Sequence, residues 1–277
     1  MLPLKDNVPT SRFPIVTVVL ILLNVAAFVW ELTLPTDRAS SPAFAAAGVS
    51  ERDQALLRYG AIPYRLTHPG EDCGVTRGGE GKTKLVCQGT PAYVRASSAG
   101  EVAALDAPPW WLTLITSMFL HGGWVHIVGN MLFLWIFGNN VEDSMGRWRY
   151  VLFYLLGGIV ATYALTLFNP DTAEVLFGAS GAIAGVLGGY ILLYPRSRVL
   201  TLIFLFLFVT LVEIPAVIML GIWFILQALP GLGHISIPGL TSTGVAYLAH
   251  VGGFLFGLAA IKPFVRWARG RRAGLAY

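Results

Sequence analysis

The sequence predicts an all-α integral membrane protein, and three observations carry that prediction. Hydrophobic residues make up 55% of the 277 positions and charged residues only 12%, about half the share found in soluble domains. The mean hydropathy is +0.66. The apolar residues are also gathered into long runs. A soluble helical domain of this length would need more polar surface, so that alternative is set aside.

Six apolar segments are predicted to cross the membrane. They are residues 13–34, 123–139, 148–168, 176–194, 211–229 and 241–264. Just before the fifth segment, the run VLTLIFLFLFVTL (Val199–Leu211) is both apolar and rich in β-branched residues. It therefore fits either an extension of the fifth helix or an extended or interfacial segment. A polar insert, 35–109, separates the first two segments.

Lysine and arginine in the short loops predict the orientation. Every second connection is basic, and the basic residues outside the insert are Lys5, Arg12, Arg147, Arg149, Arg196, Arg198, Lys262, Arg266, Arg269, Arg271 and Arg272. The loops NPDTAEV and PGLGHISIPG contain neither residue type. Both the N-terminal tail, 1–12, and the basic tail, 265–277, are thus predicted to be cytoplasmic. The second tail is expected to contact anionic lipid headgroups, not nucleic acid.

The insert is then extracytoplasmic, and the orientation suits a bacterial plasma membrane. Its two cysteines, Cys73 and Cys87, are the only ones in the chain. In an oxidising compartment they are candidates for a disulfide, with two free thiols as the alternative. The N-terminus lacks a secretory cleavage signature, so the first apolar segment is expected to be retained.

Polar side chains inside the apolar segments cluster in three stretches. These are HGGWVHIVGN (His121–Asn130), FGASGAIAG (Phe177–Gly185) and AHVGGFLFG (Ala249–Gly257). Polar and ionisable groups are costly within a bilayer, and so each stretch is a candidate functional site.

Ser180 is predicted to lie in the first turn of the fourth helix, toward the outer leaflet. The first amides of a helix have no intrahelical acceptor, and the helix dipole is positive there. A hydroxyl beside the N–H groups of Ala179, Ser180 and Gly181 has the parts of a nucleophile with an oxyanion hole. The alternative is a serine that only caps the helix or packs against a neighbour.

His250 is the second candidate, because glycines share its helix face. Gly253 and Gly257 follow it at i+3 and i+7, and the fourth segment carries a matching face of small residues that includes Ser180 and Ala184. Such faces allow helices to pack closely, which would bring Ser180 within hydrogen-bond reach of His250. His250 would then act as general base and general acid. The alternative is a buried histidine satisfied by another polar group.

We expect a Ser180–His250 dyad and not a triad, because the acidic residues are predicted to lie at the cytoplasmic side, at the outer end of the first helix or in a short outer loop. Glu174, in that outer loop, is the acidic residue that comes nearest to being an exception. His126 and Asn130 are four residues apart, share a helix face and are candidate donors to an oxyanion at Ser180. A competing metal site made of His121, His126 and His250 lacks the ligand spacing typical of zinc. No metal site is therefore predicted.

These motifs together resemble the rhomboid family of intramembrane serine proteases. The resemblance rests on H-x4-H-x3-N at His121, His126 and Asn130, on G-x-S-G at Gly178–Gly181, and on A-H-x2-G-x3-G at Ala249–Gly257. They occur in the family's order, on the second, fourth and sixth helices. The run Gly138–Asp143 also resembles the family's G-x3-E. The likeness covers about residues 108–261, and the first helix by position.

The resemblance implies a rhomboid-like bundle of six transmembrane helices with a core at 110–264 and a long extracytoplasmic loop between helices 1 and 2. It implies a Ser180 nucleophile and a His250 general base in the extracytoplasmic leaflet. The implied oxyanion donors are His126, Asn130 and the backbone N–H groups of Ala179 and Ser180, and the implied supporting residues are His121, Gly178, Gly181, Gly253, Gly257 and Glu142, the last as a structural carboxylate. Substrates would be membrane proteins with an easily unwound transmembrane helix, and the reaction would need no metal and no cofactor.

The chain departs from the family pattern at two positions. Many members carry Trp-Arg before the HxxxxH stretch, where this chain has Trp110-Trp111. Some members place an aromatic residue four positions after the serine, where this chain has Ala184. Two other functions stay open. One is an inactive relative acting as chaperone or adaptor, which typically lacks the serine or the histidine; the other is a transporter or channel, for which carboxylates near the midplane would be expected.

Overall fold

The protein is mostly helical. The computed structural model describes residues 2–78, 81–205, 208–236 and 246–273. Its helices are α1 (Ile15–Thr33), α2 (Pro42–Ala47), α3 (Glu51–Tyr59), α4 (Pro63–Thr67), α5 (Pro91–Ser98), α6 (Trp110–Thr116), α7 (Trp124–Phe133), α8 (Asn139–Met145), α9 (Arg147–Phe168), α10 (Ser180–Leu193), α11 (Ala216–Ser236) and α12 (Tyr247–Ala273). The strands are β1 (Leu2–Asp6), β2 (Cys73–Arg77), β3 (Thr83–Cys87), β4 (Ala103–Ala104), β5 (Arg198–Leu205) and β6 (Phe208–Pro215).

Several of these helices are apolar enough to cross a bilayer. Within the described residues, three helices have the length and hydropathy of a membrane span: Ile15–Thr33, Arg147–Phe168 and Tyr247–Val265. The consecutive helices Trp110–Phe119 and Trp124–Met145 reach that length and hydropathy only when they are counted together as one span. The apolar helices Ser180–Leu193 and Ala216–Pro230 are shorter than the roughly 20 residues that span a hydrocarbon core. The helical membrane class is thus confirmed, and the count of six spans stays a prediction.

Four predicted segments differ from the helices of the structure by more than two residues. The fourth begins only at Ser180, and the sixth continues as α12 to Ala273. The second continues through a π-helical turn at Leu134–Gly138 and ends at Met145. The fifth begins at Ala216, because residues 208–215 belong to β6. The first residues of the sixth segment, 241–245, and the end of the basic tail, 274–277, lie outside the described residues.

The prediction of an all-α chain is wrong in one respect, because the described residues form two three-stranded sheets, β1-β5-β6 and β3-β2-β4. Most of the ambiguous run Val199–Leu211 is extended, with β5 antiparallel to both β1 and β6. β-Branched residues favour this conformation, and pairing satisfies the backbone groups on both sides of β5. The N-terminal tail therefore begins as a strand of this sheet.

The chain forms two compact units. The first consists of Met1–Leu23, Val125–Leu165 and Ala179–Tyr277, and the second of Asn24–Trp124 and Thr166–Gly178. The first unit thus holds the sheet β1-β5-β6 and helices α10 to α12. The second holds most of the predicted insert and the loop that leads toward Ser180.

Glu142 ties α8 to the start of α1 in the first unit. Its carboxylate accepts hydrogen bonds from the backbone N–H groups of Val16 and Thr17, at 3.0 and 2.8 Å, and from the Thr17 hydroxyl at 2.9 Å. These N–H groups lie in the first turn of α1 and have no intrahelical acceptor. The carboxylate therefore acts as a helix cap supplied from another helix.

The insert has a core of its own in the second unit. Buried residues from its helices, strands and connecting loops pack together, among them Phe44, Ile62, Tyr64, Val75 and Leu105. Cys73 and Cys87 are cross-strand partners in β2 and β3, and the structure joins them in a disulfide.

The insert also holds the loop between α9 and α10. Ala61 and Leu176 exchange two backbone hydrogen bonds, of 2.9 and 2.7 Å. The hydroxyl of Thr67 donates to the carbonyl oxygen of Pro170 at 2.8 Å. A Cβ on Gly60 would collide with Val175, so the two chains approach closely here. The insert is therefore part of the fold around the segment that precedes Ser180.

Candidate active site

Helices α10 and α12 pack backbone to backbone, as the glycine spacing predicts. A Cβ on Gly253 would collide with the carbonyl oxygen of Gly181, and a Cβ on Gly257 with that of Gly185. The reverse also holds, because a Cβ on Gly188 would collide with the carbonyl oxygen of Phe254. The two helix axes can approach this closely only because side chains are absent along both contacting faces.

This packing brings Ser180 and His250 together. The hydroxyl of Ser180 lies 2.7 Å from Nε2 of His250, within ordinary hydrogen-bond distance. Ser180 is the first residue of α10, and His250 lies in the first turn of α12, where it is buried. A short side chain therefore meets a histidine at the starts of two helices that pack along their lengths.

The other ring nitrogen of His250 contacts a residue that the sequence reasoning missed. Nδ1 lies 2.8 Å from Oε1 of Gln227 on α11. Trp223, one turn earlier on the same helix, has its ring 6.0 Å from the His250 ring. The partner of Nδ1 is thus an amide and not an acidic residue. Glu174, the acidic residue named above as a possible third member, is an exposed loop residue and does not support a triad.

His126 and Asn130 both lie on α7, in the same unit as Ser180 and His250. Asn130 is buried and His126 is partly buried. Their spacing of four residues places them on one face of α7.

The start of α10 is shaped by small residues. Gly178 has φ = 120°, a conformation that a residue with a side chain would adopt only with strain. Its N–H group donates to the carbonyl oxygen of Ser117 at 2.8 Å. Ala179 precedes the first turn and is fully buried, and no side chain caps this helix start by a hydrogen bond. A Cβ on Gly181 would lie 2.7 Å from the Cβ of Ala161.

His121 lies in the second unit, where a buried carboxylate binds its backbone. Its N–H group donates to Oε1 of Glu31 at 3.0 Å, and both residues are fully buried. Glu31 also lies 3.9 Å from the guanidinium of Arg52, which belongs to α3 of the insert. The backbone of His121 is therefore anchored to α1 by the carboxylate of Glu31. No group of three His, Cys, Asp or Glu side chains that could hold a metal occurs among the described residues.

Gln227 was not predicted as the partner of His250, because its amide is not ionisable and an acidic residue was expected in that role. A signal was nevertheless present. Between Ala216 and Pro230, Gln227 is the only side chain with an amide, hydroxyl or ionisable group. A polar group in an otherwise apolar helix needs a hydrogen-bond partner.

Comparison with known proteins identifies the family. A model of the family described as Rhomboid domain matches residues 108–267, more than half of the chain. The chain belongs to the rhomboid family. It is accordingly a multi-pass membrane protein, and the matched region contains Ser180, His250, His126, Asn130 and Gln227.

Three relatives illustrate the similarity. The chain is 33% identical over 161 residues to rhomboid protease GluP of Bacillus subtilis, a match covering 57% of this chain and 30% of the relative. It is 34% identical over 166 residues to rhomboid-type serine protease 2 of Emericella nidulans, covering 58% and 28%. It is 31% identical over 156 residues to the chloroplastic rhomboid-like protein 11 of Arabidopsis thaliana, covering 55% and 52%. The chain thus matches only about a third to a half of each relative's length.

Proposed function

We propose that this rhomboid protein is an intramembrane serine endopeptidase that uses a Ser180–His250 dyad. The observation that carries the proposal is the 2.7 Å hydrogen bond between the Ser180 hydroxyl and Nε2 of His250. A serine whose hydroxyl contacts a histidine, with a further group on the second ring nitrogen, is the arrangement of an activated nucleophile. Two of the relatives described above are named proteases.

The proposed reaction proceeds through an acyl-enzyme. Oγ of Ser180 attacks the carbonyl carbon of the scissile peptide bond while Nε2 of His250 takes the hydroxyl proton. The tetrahedral intermediate then collapses, the C–N bond breaks, and His250 returns that proton to the leaving amine. A water molecule, deprotonated by His250, hydrolyses the ester and regenerates the Ser180 hydroxyl.

Donors for the oxyanion would come from two elements. His126 and Asn130 on α7 are the proposed side-chain donors, and Ala179 and Ser180 are the proposed backbone donors. Their shared face on α7, with Asn130 buried, supports the first pair. The position of Ser180 as the first residue of α10 supports the second, because amides of a first turn lack intrahelical acceptors.

We further propose six spans, cytoplasmic termini and a site in the extracytoplasmic leaflet of a bacterial plasma membrane. Two contacts support this arrangement. β1 of the N-terminal tail pairs with β5, which follows the basic loop at Arg196. The insert, in turn, pairs with the loop that contains Leu176 and lacks Lys and Arg. In the first unit, two segments predicted to be cytoplasmic thus contact each other. In the second unit, two segments predicted to be extracytoplasmic do so.

The substrates would be membrane proteins whose transmembrane helix unwinds easily near a small residue. The test is cleavage of a generic transmembrane substrate in detergent by the wild type and by Ser180→Ala and His250→Ala. Cleavage by the wild type and silence of both variants would support the proposal. Equal cleavage by Ser180→Ala would refute the mechanism. Silence of the folded wild type would favour the inactive-relative hypothesis.

A further inference from the structure

His250 is held at both ring nitrogens, and the two contacts come from different helices. Nε2 contacts Ser180 on α10 at 2.7 Å, and Nδ1 contacts Oε1 of Gln227 on α11 at 2.8 Å. A five-membered ring fixed at both nitrogens cannot rotate about its Cβ–Cγ bond without losing both hydrogen bonds.

We propose that Gln227 is a positioning residue that holds His250 in the tautomer and orientation in which Nε2 can accept the Ser180 proton. The proposal rests on the function proposed above. Gln227 itself would touch neither the substrate nor the oxyanion.

The hydrogen-bond partners of a neutral imidazole select its tautomer. One ring nitrogen carries the proton and donates, and the other has the lone pair and accepts. An amide oxygen accepts only, so its place 2.8 Å from Nδ1 selects the form with the proton on Nδ1. That form leaves the Nε2 lone pair directed at the Ser180 hydroxyl, as a general base requires.

The surroundings explain why an amide suits this position. Gln227 lies on a helix whose neighbouring side chains are apolar, and the adjacent Leu226 is 58% exposed. A carboxylate in such surroundings would carry a large desolvation cost, whereas an amide supplies the same acceptor oxygen without a charge.

Trp223 completes the contact face of α11. It lies one turn before Gln227, and its ring packs beside both His250 and Phe254 of α12. The aromatic neighbour of the histidine is therefore supplied by α11, whereas Ala184 occupies the α10 position where some family members have an aromatic residue. Displacement of α11 would remove both the amide and the ring from His250.

The test compares Gln227→Met with Gln227→Glu. Methionine has a similar length but no acceptor oxygen, so we expect kcat for transmembrane-substrate cleavage to fall about 10- to 100-fold with little change in KM. Glutamate keeps an acceptor oxygen, so we expect its kcat to stay within about tenfold of the wild type, while its melting temperature falls because its charge is desolvated. Leu226→Met is the matched control, because it introduces the same side chain at the exposed neighbour, and it should cleave like the wild type.

A second measurement reads the tautomer directly and does not depend on cleavage. Histidine-ring ¹⁵N NMR of the full chain, with His250→Ala for assignment, should show one Nδ1–H tautomer in the wild type. In Gln227→Met the same signal should become a mixture of tautomers. Unchanged kcat or an unchanged tautomer in Gln227→Met would overturn the proposal. A tautomer that depends on Gln227 in a protein that cleaves nothing would support this contact and refute the proposed protease function.

Discussion

The carbonyl oxygen of Gly181 occupies the space that a side chain on Gly253 would need. Since Gly181 follows Ser180 directly and Gly253 lies one turn after His250, this contact sets the distance between the two polar side chains. The backbone packing and the 2.7 Å hydrogen bond are thus parts of one arrangement.

Gly253→Ala should therefore damage the site without altering either polar side chain. The added methyl group forces α10 and α12 apart, and overpacking of this kind costs about 1–3 kcal/mol. We expect a lower melting temperature in detergent and loss of substrate cleavage. Gly221→Ala is the matched control, because nothing lies within 4 Å of its added Cβ. Equal cleavage by both variants would contradict this account of the packing.

Glu142→Ala should destabilise the protein by removing the cap on α1. The substitution leaves the first-turn N–H groups of Val16 and Thr17 without their carboxylate acceptor, at a cost of about 1–3 kcal/mol. Thermal unfolding in detergent measures the effect. Glu142→Gln keeps one acceptor oxygen and should lose less. An unchanged melting temperature in Glu142→Ala would show that the cap is dispensable.

Asp6→Asn should become relatively more stabilising as the pH rises. Burial raises the pKa of Asp6 above its ordinary 3.8, although a hydrogen bond from Tyr190 opposes this. A carboxyl group with a raised pKa favours the folded state below its unfolded pKa, and this contribution is lost as the pH rises through the folded pKa. Ionised Asp6 therefore costs stability at neutral pH.

The measurement for Asp6 is the difference in melting temperature between the variant and the wild type from about pH 4 to about pH 8. Asparagine keeps an acceptor for the hydrogen bond that Asn140 donates at 2.6 Å. The melting temperature of the variant should rise relative to that of the wild type as the pH increases across that range. A difference that does not change with pH would contradict the assignment.

Replacing Cys73 and Cys87 together by serine should destabilise the insert. The disulfide joins residues that are 14 apart, and cross-links of this size contribute about 2–4 kcal/mol. We expect faster limited proteolysis of the insert and, in the wild type, free thiols only after reduction. Thiols that titrate without a reductant would disprove the bond.

Part of this site could be predicted from the sequence because it depends on local spacing. Helical periodicity alone places Gly253 and Gly257 on the same face as His250. Ser180 follows a polar loop and precedes an apolar segment, which places it at the start of a helix. The close approach of α10 and α12 follows from these patterns.

Other features depend on tertiary contacts that periodicity does not encode. The run Val199–Leu211 suits a helix or a strand by composition, and β1, which is remote in sequence, pairs with β5 and favours the strand. Gln227 could not be matched with His250, because the relative rotation of α11 and α12 is set by packing. The contact of Glu31 with the His121 backbone likewise joins residues far apart in the chain.

The central claim is that His250 activates Ser180 as a nucleophile, and labelling with a fluorophosphonate probe tests it most directly. Mass spectrometry of the labelled wild-type protein should place the phosphonyl group on Ser180. Ser180→Ala and His250→Ala, both verified as folded by thermal unfolding, should remain unlabelled. Equal labelling of Ser180 in His250→Ala, or labelling of a different residue in the wild type, would contradict the claim.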